Sequence, residues 1–468
     1  MKATNDYREF IASKKKYPEP SGFDVPESKI NPMAFDWQRP VIRWALRSGR
    51  AALWEDCGLG KTLKQLEFAN HVVHRTGKPF LILCPLAVSQ QTKREAEKFK
   101  IDVDVRVCQS QADVRPGINI TNYEKLHHFD TSAFVGVALD ESSCLKSFTS
   151  ATKRKLCESF KDTPYNLACT ATPAPNDRME LGNHSEFLSI MPSDEMLERF
   201  FINDTMGAGC YRLRKHAEND FWDWMTCWAA CISKPSDIGF SDDGYTLPGL
   251  NIVEHIVESD NAPSGMLFDT GTTVSATGVH QEKRRVLAER VAVVAKLVNE
   301  SRESWAVWCD TDYESGALTK AIPDAVEVRG SHAERLKEER LSAFTNGQAR
   351  VIITKSEIAG FGLNWQHCHN TTWFAGYSFE KFYQAIRRLY RFGQKNTVNC
   401  HVVMSDNEQS IANVVKRKQS EHAEMYSEMA RFMRAGMMQR IVGANKLRPY
   451  VAENQTQIPT WLTRKVFN

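Results

Sequence analysis

The sequence predicts an α/β protein built from two parallel-sheet lobes in tandem, with a helical insertion between them. Three observations predict this fold class. Short apolar runs alternate with segments of helical spacing, the alternation occurs twice along the 468 residues, and an aromatic-rich stretch separates the two sets. Short strands that alternate with helices are typical of parallel sheets covered on both faces. Each set is therefore expected to form one lobe.

The first set of elements contains three apolar runs, at residues 80–84, 135–139 and 165–169. Asp140 and Thr170 directly follow two of these runs. Ligands of parallel sheets bind at the carboxyl ends of the strands, so these polar residues are expected to face a ligand.

The second set of elements begins after residue 280. Its predicted elements are a helix at 282–300, a strand at 305–309, a helix at 334–344, a strand at 351–353, a helix at about 379–390 and a strand at 398–404. The sequence thus predicts a first lobe at 30–192, an insertion at 193–247, a second lobe at 248–420 and a C-terminal helical tail at 421–468.

The predicted insertion is rich in aromatic residues, namely Phe221, Trp222, Trp224 and Trp228. These side chains have two possible roles. They could stack on bases or wedge a duplex. Aromatic clusters at helical spacing usually form a core, however, and we favour that interpretation.

Composition excludes several classes of protein. Lys plus Arg number 60 and Asp plus Glu 57, so any basic surface must arise from local clustering. No window holds 18 apolar residues and the N-terminus has no apolar core, which predicts a cytoplasmic protein without a membrane span. The 12 cysteines form no Cys-x-x-Cys pair, and reduced structural thiols are favoured over a metal site at 367–369.

The strongest local signal is the segment Gly58-Leu59-Gly60-Lys61-Thr62, which lies between an apolar run and a helical segment. A glycine turn at a helix N-terminus can bind phosphates through its backbone N–H groups. In that role Lys61 would reach the β- and γ-phosphates, and Thr62 would hold Mg²⁺. The alternative is a glycine-rich turn that caps a helix beside an ordinary surface lysine.

Two carboxylates, Asp140 and Glu141, lie at a strand end about 80 residues after the glycine turn. Asp140 could bind Mg²⁺, and Glu141 could accept a proton from the attacking water. The alternative is a solvated acidic pair, which is common at strand ends.

A basic segment at residues 384–394 in the second lobe contains Arg388 and Arg391. Residues three apart share a helix face, so both guanidiniums could reach a γ-phosphate across a cleft. There they would stabilise the transition state of phosphoryl transfer. The alternative is a solvated basic face, or one that binds a phosphate backbone.

These motifs, in this order, resemble those of the Swi/Snf family of superfamily 2 helicase-like DNA translocases. The resemblance covers residues 35–403 and implies two RecA-like lobes. The usual first motif of the family reads D-E-M-G-L-G-K-T, so Glu55 stands where other phosphate loops have a glycine. The matching blocks are residues 35–38, 55–62, 84–86, 120–124, 139–141, 170–173, 329–331, 359–364 and 384–394.

The resemblance assigns roles to further residues. It implies that Gln38 contacts adenine and that Gly362 and Gln384 lie at the nucleotide. The residues expected to contact nucleic acid or to couple it to the ATP state are Asn122, Thr170, Thr172 and Lys355.

One departure from the family concerns the box D-E-A-H, because Ser142-Ser143 replaces its last two residues. The missing histidine normally helps to link hydrolysis to the rest of the lobe, so coupling is expected to differ. Asp140 and Glu141 are retained, which favours ATP hydrolysis. The compact layout is similar to stand-alone helicases of bacteria and phages, which implies a location at the nucleoid.

The leading hypothesis is an ATP- and Mg²⁺-dependent motor that translocates along or unwinds DNA, most plausibly double-stranded DNA. Two alternatives remain at this point: an RNA helicase of the same superfamily, and a nucleotide-gated nucleic-acid-binding protein with little turnover. A metabolic kinase is disfavoured because such enzymes do not require the arginine motif of the second lobe.

Overall fold

Two parallel sheets organise the chain, as the sequence predicts. The computed structural model describes residues 19–85, 88–146, 150–175, 177–203, 211–257, 284–359, 363–374, 378–405 and 409–442. Gly362 and the last 26 residues of the predicted tail, 443–468, lie outside the described residues.

The first sheet has seven strands in the order β3-β4-β2-β5-β6-β1-β9, all parallel. Its strands are β1 (Arg50–Glu55), β2 (Phe80–Cys84), β3 (Val105–Val107), β4 (Ile118–Asn122), β5 (Gly136–Asp140), β6 (Tyr165–Thr170) and β9 (Ala229–Ile232). The central strands are buried along their length because helices cover both faces, which explains their continuous apolar character.

The second sheet has six parallel strands in the order β10-β15-β14-β11-β13-β12. Its strands are β10 (Leu250–Val257), β11 (Trp305–Cys309), β12 (Ala325–Val328), β13 (Val351–Lys355), β14 (Asn370–Phe374) and β15 (Val398–Ser405). This sheet completes the two-lobe α/β fold that the sequence predicts.

Helices connect the strands of both lobes. Those of the first lobe are α1 (Gln38–Ser48), α2 (Lys61–Thr76), α3 (Ser89–Lys98), α4 (Ala151–Phe160), α5 (Leu181–Phe187), α6 (Ser193–Phe200) and α7 (Glu218–Thr226). Those that follow are α8 (Leu287–Asn299), α9 (Asp312–Ala321), α10 (Glu334–Thr345), α11 (Ser356–Ala359), α12 (Phe379–Ile386) and α13 (Gln409–Met437). Within the described residues, no helix combines the length and the apolarity that a bilayer crossing requires.

The segment between the lobes is more closely joined to the first lobe than a helical insertion would be. It contains α6, α7 and an antiparallel hairpin of β7 (Phe201–Asn203) and β8 (Tyr211–Leu213). Strand β9, which the sequence analysis assigned to an insertion, pairs with β1. Four small and apolar residues carry too little periodicity to predict such a strand.

The aromatic cluster of this segment forms core. The exposed fractions of Phe221, Trp222, Trp224 and Trp228 are at most 2%, and all four belong to the hydrophobic core of the first lobe. Phe221 and Trp222 contact each other edge to face, with ring centroids 4.9 Å apart. This burial confirms the packing interpretation over base stacking.

The C-terminal helix α13 runs from the second lobe back onto the first. It begins at Gln409, inside the stretch predicted as second lobe. Met425, Met429, Met433 and Met437 recur every fourth residue, so they share one helix face. All four are buried in the core of the first lobe, against the aromatic cluster.

We expect Met429→Ala to lower the free energy of unfolding by ~2–4 kcal/mol, because it opens a cavity between α13 and the first lobe. Glu424→Ala, on the exposed face of the same helix, should change it by less than about 0.5 kcal/mol. Urea denaturation followed by tryptophan fluorescence measures both. Equal effects of the two substitutions would show that α13 does not pack as described.

Candidate nucleotide site between the two lobes

The phosphate loop connects β1 to α2 and depends on its two glycines. Gly58 and Gly60 have φ angles of 89° and 83°, in the left-handed region that other residues rarely adopt. A Cβ atom at Gly58 would lie 2.9 Å from the backbone nitrogen of Phe392, in the second lobe. A Cβ atom at Gly60 would lie 2.4 Å from Nε2 of Gln38. Both positions therefore require glycine.

Lys61 is folded over this loop. Its Nζ donates hydrogen bonds to the carbonyl oxygens of Glu55, at 2.7 Å, and Asp56, at 3.3 Å. Lys61 is also the first residue of α2, so the positive end of the helix dipole points at the loop. An ammonium group, a helix N-terminus and glycine N–H groups together form an anion-binding site.

Gln38 supports the loop from α1. Its Nε2 donates to the carbonyl oxygen of Leu59 at 2.9 Å, and its Oε1 accepts from the backbone N–H of Phe35 at 3.0 Å. The side chain is buried and both of its polar groups are engaged. Gln38 thus positions the loop in this structure, and its predicted contact with adenine stays a prediction.

A buried ion pair lies beneath the loop, and no pattern in the sequence predicts it. Nζ of Lys64 lies 2.8 Å from Oε2 of Glu55, and both side chains are fully buried. The same Nζ donates to the carbonyl oxygen of Leu59 and lies 4.1 Å from the centroid of the Trp37 ring. Burial lowers the pKa of Lys64. Glu55, which replaces the usual glycine, therefore anchors the loop to α2.

The predicted carboxylates lie where β5 ends. Gln65, on α2, donates from Nε2 to Oδ1 of Asp140 at 2.8 Å. Glu141 has φ 59°, and its Oε2 accepts from Oγ1 of Thr170 at 3.4 Å. Burial raises the pKa of Asp140 and that of Glu141. A raised pKa makes Glu141 a stronger proton acceptor than an exposed glutamate.

The two predicted arginines lie close together, but not because they share a helix face as expected. Helix α12 ends at Ile386, four residues before the predicted end, so Arg388 and Arg391 lie in the turns that follow it. Their common acceptor is the carbonyl oxygen of Leu363, which Nη1 of Arg388 reaches at 3.2 Å and Nη1 of Arg391 at 3.1 Å. A shared acceptor, rather than a helix face, brings the two guanidiniums together.

The environment of Arg391 favours an anion. Burial and the neighbouring Arg388 lower the pKa of Arg391 to about 10. Its Nε is buried and has no hydrogen-bond partner among the described residues. Arg388 is held more firmly, since Nη2 donates to Oε1 of Gln384 at 3.0 Å and Nε to the carbonyl oxygen of Gln384. Gln384 therefore orients Arg388.

The loop, the carboxylates and the arginines line one cavity of about 340 Å³ between the lobes. Its walls include Gly58, Gly60, Lys61, Thr62, Asp140 and Glu141 from the first lobe, and Asn364, Gln366, Arg388, Arg391 and Phe392 from the second. The geometry thus joins the predicted groups of both lobes at a single site.

A charged contact docks the phosphate loop on the second lobe. Oδ1 of Asp56 accepts from the hydroxyl of Tyr383 at 2.7 Å, and Asp56 also forms an ion pair with Arg387. Burial alone would raise the pKa of Asp56, but the cation of Arg387 and the Tyr383 hydrogen bond lower it. Asp56 and Arg387 lie within the sequence motifs at 55–62 and 384–394, but no pattern assigned a role to them or to Tyr383.

Aromatic contacts lie beside this charged contact and also join the two lobes. The ring of Phe392 stacks on that of Tyr245, with centroids 4.6 Å apart, and meets the edge of Phe35 at 6.3 Å. Lys146, just after the carboxylates, forms an ion pair with Glu380 on α12. These contacts hold the lobes closed around the cavity.

The residues predicted to contact nucleic acid or to couple it to the ATP state differ in exposure. Asn122, Thr170 and Thr172 are at most 4% exposed in this structure, and their roles in contact or coupling stay predictions. Asn122 accepts from the backbone N–H of Lys125 and caps a 3₁₀ turn. Only Lys355 of the four is partly exposed, and its Nζ lies 2.8 Å from Oδ1 of Asp312. Nucleic-acid contact by Lys355 stays a prediction.

Fold and site together define a two-lobe α/β protein with a cavity between its lobes that is lined by a phosphate-type loop, two carboxylates and two arginines. Residues 37–203 match the family model of the SNF2-related domain. The matched residues include the phosphate loop, Asp140 and Glu141, so this part of the chain is similar to that domain.

The relatives share short stretches with this chain. The Arabidopsis thaliana protein Chromatin Remodeling 8 is 32% identical over 96 residues, which are 19% of this chain and 8% of that protein. A Bacillus subtilis protein, the putative ATP-dependent helicase/translocase YwqA, is 27% identical over 190 residues, which are 36% of this chain and 20% of that protein. This chain thus spans a fifth or less of these relatives.

A solved structure, the Sulfolobus solfataricus SWI2/SNF2 ATPase core in complex with dsDNA, aligns with 91% of this chain and 99% of its own. The TM-score is 0.40 and the sequence identity is 17%.

We expect Arg387→Ala to weaken the closure of the lobes, by about 3 kcal/mol, because it leaves the Asp56 carboxylate without its cation. Small-angle X-ray scattering should show a larger radius of gyration. The matched control is Lys381→Ala, on helix α12 just before Arg387, because the ion pair of Lys381 with Glu357 lies within the second lobe. An unchanged scattering profile for Arg387→Ala would contradict the docking role of this pair.

Proposed function

We propose that this protein is a nucleic-acid-dependent ATPase that hydrolyses ATP to move along or unwind DNA. The observation that carries the proposal is the cavity that Lys61 and Thr62 line from one lobe and Arg388 and Arg391 from the other. Phosphoryl transfer needs positioning and charge stabilisation rather than covalent chemistry, and this cavity offers both.

The phosphates of ATP would lie against the loop. Backbone N–H groups at the start of α2 and the ammonium of Lys61 would bind the β- and γ-phosphates. Lys61 now donates to two backbone carbonyls, and a phosphate oxygen is a stronger acceptor than either, because it is charged.

Thr62 and Asp140 would hold Mg²⁺. A hydroxyl and a carboxylate are the hard oxygen ligands that Mg²⁺ prefers, and Gln65 fixes the orientation of Asp140. Bound Mg²⁺ would neutralise charge on the phosphates.

Glu141 would accept the proton of the attacking water. Its raised pKa and its contact with Thr170 suit this role, because the carboxylate is both basic and oriented. Arg391 has a buried N–H group without a partner among the described residues and would stabilise the charge that develops on the γ-phosphate.

Movement would follow from opening and closing of the lobes. The docked state described above joins the phosphate loop to α12 through Asp56, so a change at the phosphates reaches the second lobe directly. Two relatives support a motor that acts on DNA, since their names refer to a helicase/translocase and to chromatin remodelling.

We expect double-stranded DNA to stimulate ATP hydrolysis by the wild type and Lys61→Ala to abolish it. Arg391→Ala should lower turnover by at least ~10³-fold, the usual effect of losing an arginine finger. The matched control is Lys395→Ala, an exposed cation four residues further on, which should retain wild-type turnover. A loss below tenfold for Arg391→Ala would remove Arg391 from the site.

Parallel assays separate the alternatives. Stimulation by RNA but not by DNA would favour an RNA helicase. Background hydrolysis at saturating DNA, with ATP still bound, would favour a nucleotide-gated binding protein. Stimulation by DNA should fall as salt rises, because contacts to a phosphate backbone release counterions.

A further inference from the structure

A buried chain of polar groups lies beside the carboxylates and passes through His184. The Oγ atom of Ser142 lies 3.5 Å from Nδ1 of His184, and Nε2 of His184 lies 3.1 Å from the carbonyl oxygen of Pro173. A carbonyl oxygen only accepts, so Nε2 carries the ring hydrogen. Nδ1 is then an acceptor, and Ser142 donates to it. Ser142 and His184 are fully buried.

Both ends of this series of hydrogen-bonded groups lie next to residues of the proposed site. Ser142 directly follows Glu141, the proposed base. Pro173 follows Thr172 in the loop after β6. A second link runs parallel to the first, because Thr170 donates to Glu141 and accepts from the backbone N–H of Thr172 at 3.1 Å. Two links therefore join the ends of β5 and β6.

The backbone at Glu141 needs such support. Its φ of 59° lies in the left-handed region, which is unfavourable for a residue with a side chain and persists only where the surroundings hold it. Asn183, next to His184 on α5, donates from Nδ2 to the carbonyl oxygen of Lys146 at 3.1 Å. Adjacent residues of one helix thus hold both ends of the 3₁₀ turn that follows Glu141.

The ring of His184 is itself held in place. It meets the ring of Trp54, on β1, edge to face, with centroids 5.5 Å apart. Burial lowers the pKa of His184 to about 4, so the ring is neutral near pH 7, as an acceptor at Nδ1 requires.

We propose that His184 is a positioning residue for ATP hydrolysis, which fixes the turn bearing Glu141 to the loop at residues 170–173 so that the two move as one unit. The inference rests on the proposed function. It gives a role to Ser142, which occupies one of the two places where this chain departs from the D-E-A-H box.

A purely structural role and a positioning role of His184 predict different effects of losing its bond to Ser142. The bond from Ser142 to His184 is long, so its loss should change overall stability little. The same bond holds the residue next to the base, so its loss should lower kcat while leaving ATP binding unchanged.

The test compares Ser142→Ala, His184→Leu and the double variant in a DNA-stimulated ATPase assay. We expect each single variant to lower kcat by about fivefold to thirtyfold, because this is the usual effect of losing a buried hydrogen bond that stabilises the transition state. The KM for ATP should stay within about twofold of the wild-type value. The double variant should be no more than about twofold slower than His184→Leu, because both substitutions break one link.

The matched control is Ser185→Ala, on the same helix. Ser185 is buried and its Oγ donates to the carbonyl oxygen of Met191 at 2.9 Å, away from the cavity. This substitution should lower the melting temperature at least as much as Ser142→Ala and leave kcat unchanged.

Wild-type kcat in Ser142→Ala, or effects that multiply in the double variant, would overturn the inference. If His184→Leu does not fold, the kcat of Ser142→Ala decides alone. Wild-type hydrolysis no faster than that of Lys61→Ala would remove the proposed function and the positioning role with it. Wild-type hydrolysis above that level with a fully active Ser142→Ala would remove only the role of His184.

Discussion

The contact of Asp56 with Tyr383 and Arg387 sets how the two lobes meet. Asp56 belongs to the phosphate loop, and its two partners belong to α12 and the turn after it. Because the same turn continues to Arg388 and Arg391, docking this one carboxylate brings the arginines over the loop. The aromatic contacts of Phe392 and the ion pair of Lys146 with Glu380 then add to this contact in holding the lobes closed around the cavity. A buried ion pair gives little net stability, but it specifies one arrangement of the lobes.

A second constraint acts on β1 itself. The hydroxyl of Tyr426, on α13, donates to the carbonyl oxygen of Trp54 at 2.7 Å, one residue before Glu55. Helix α13 also covers the aromatic cluster of the first lobe with its methionine face. The strand that leads into the phosphate loop is therefore fixed by the C-terminal helix, while the loop itself contacts the second lobe.

Much of the fold and the site could be predicted because local pattern determines them. The apolar runs became the central strands, and Lys61, Asp140, Glu141, Arg388 and Arg391 line one cavity. Contacts between distant segments left no such pattern. Strand β9 is short and forms by pairing with β1, and Asn122 and Thr170 are buried although both are polar residues at strand ends. His184 is 42 residues from Ser142, so no local spacing marks their contact.

The proposed hydrolysis depends on one nucleotide being held from both lobes. The most direct measurement is a crystal structure of the protein with ADP and aluminium fluoride, which mimic the transition state of phosphoryl transfer. We expect Nζ of Lys61 and a guanidinium nitrogen of Arg391 both to lie within hydrogen-bond distance of the fluoride. A structure in which Lys61 contacts the fluoride while Arg391 remains bonded to the carbonyl oxygen of Leu363 would contradict it.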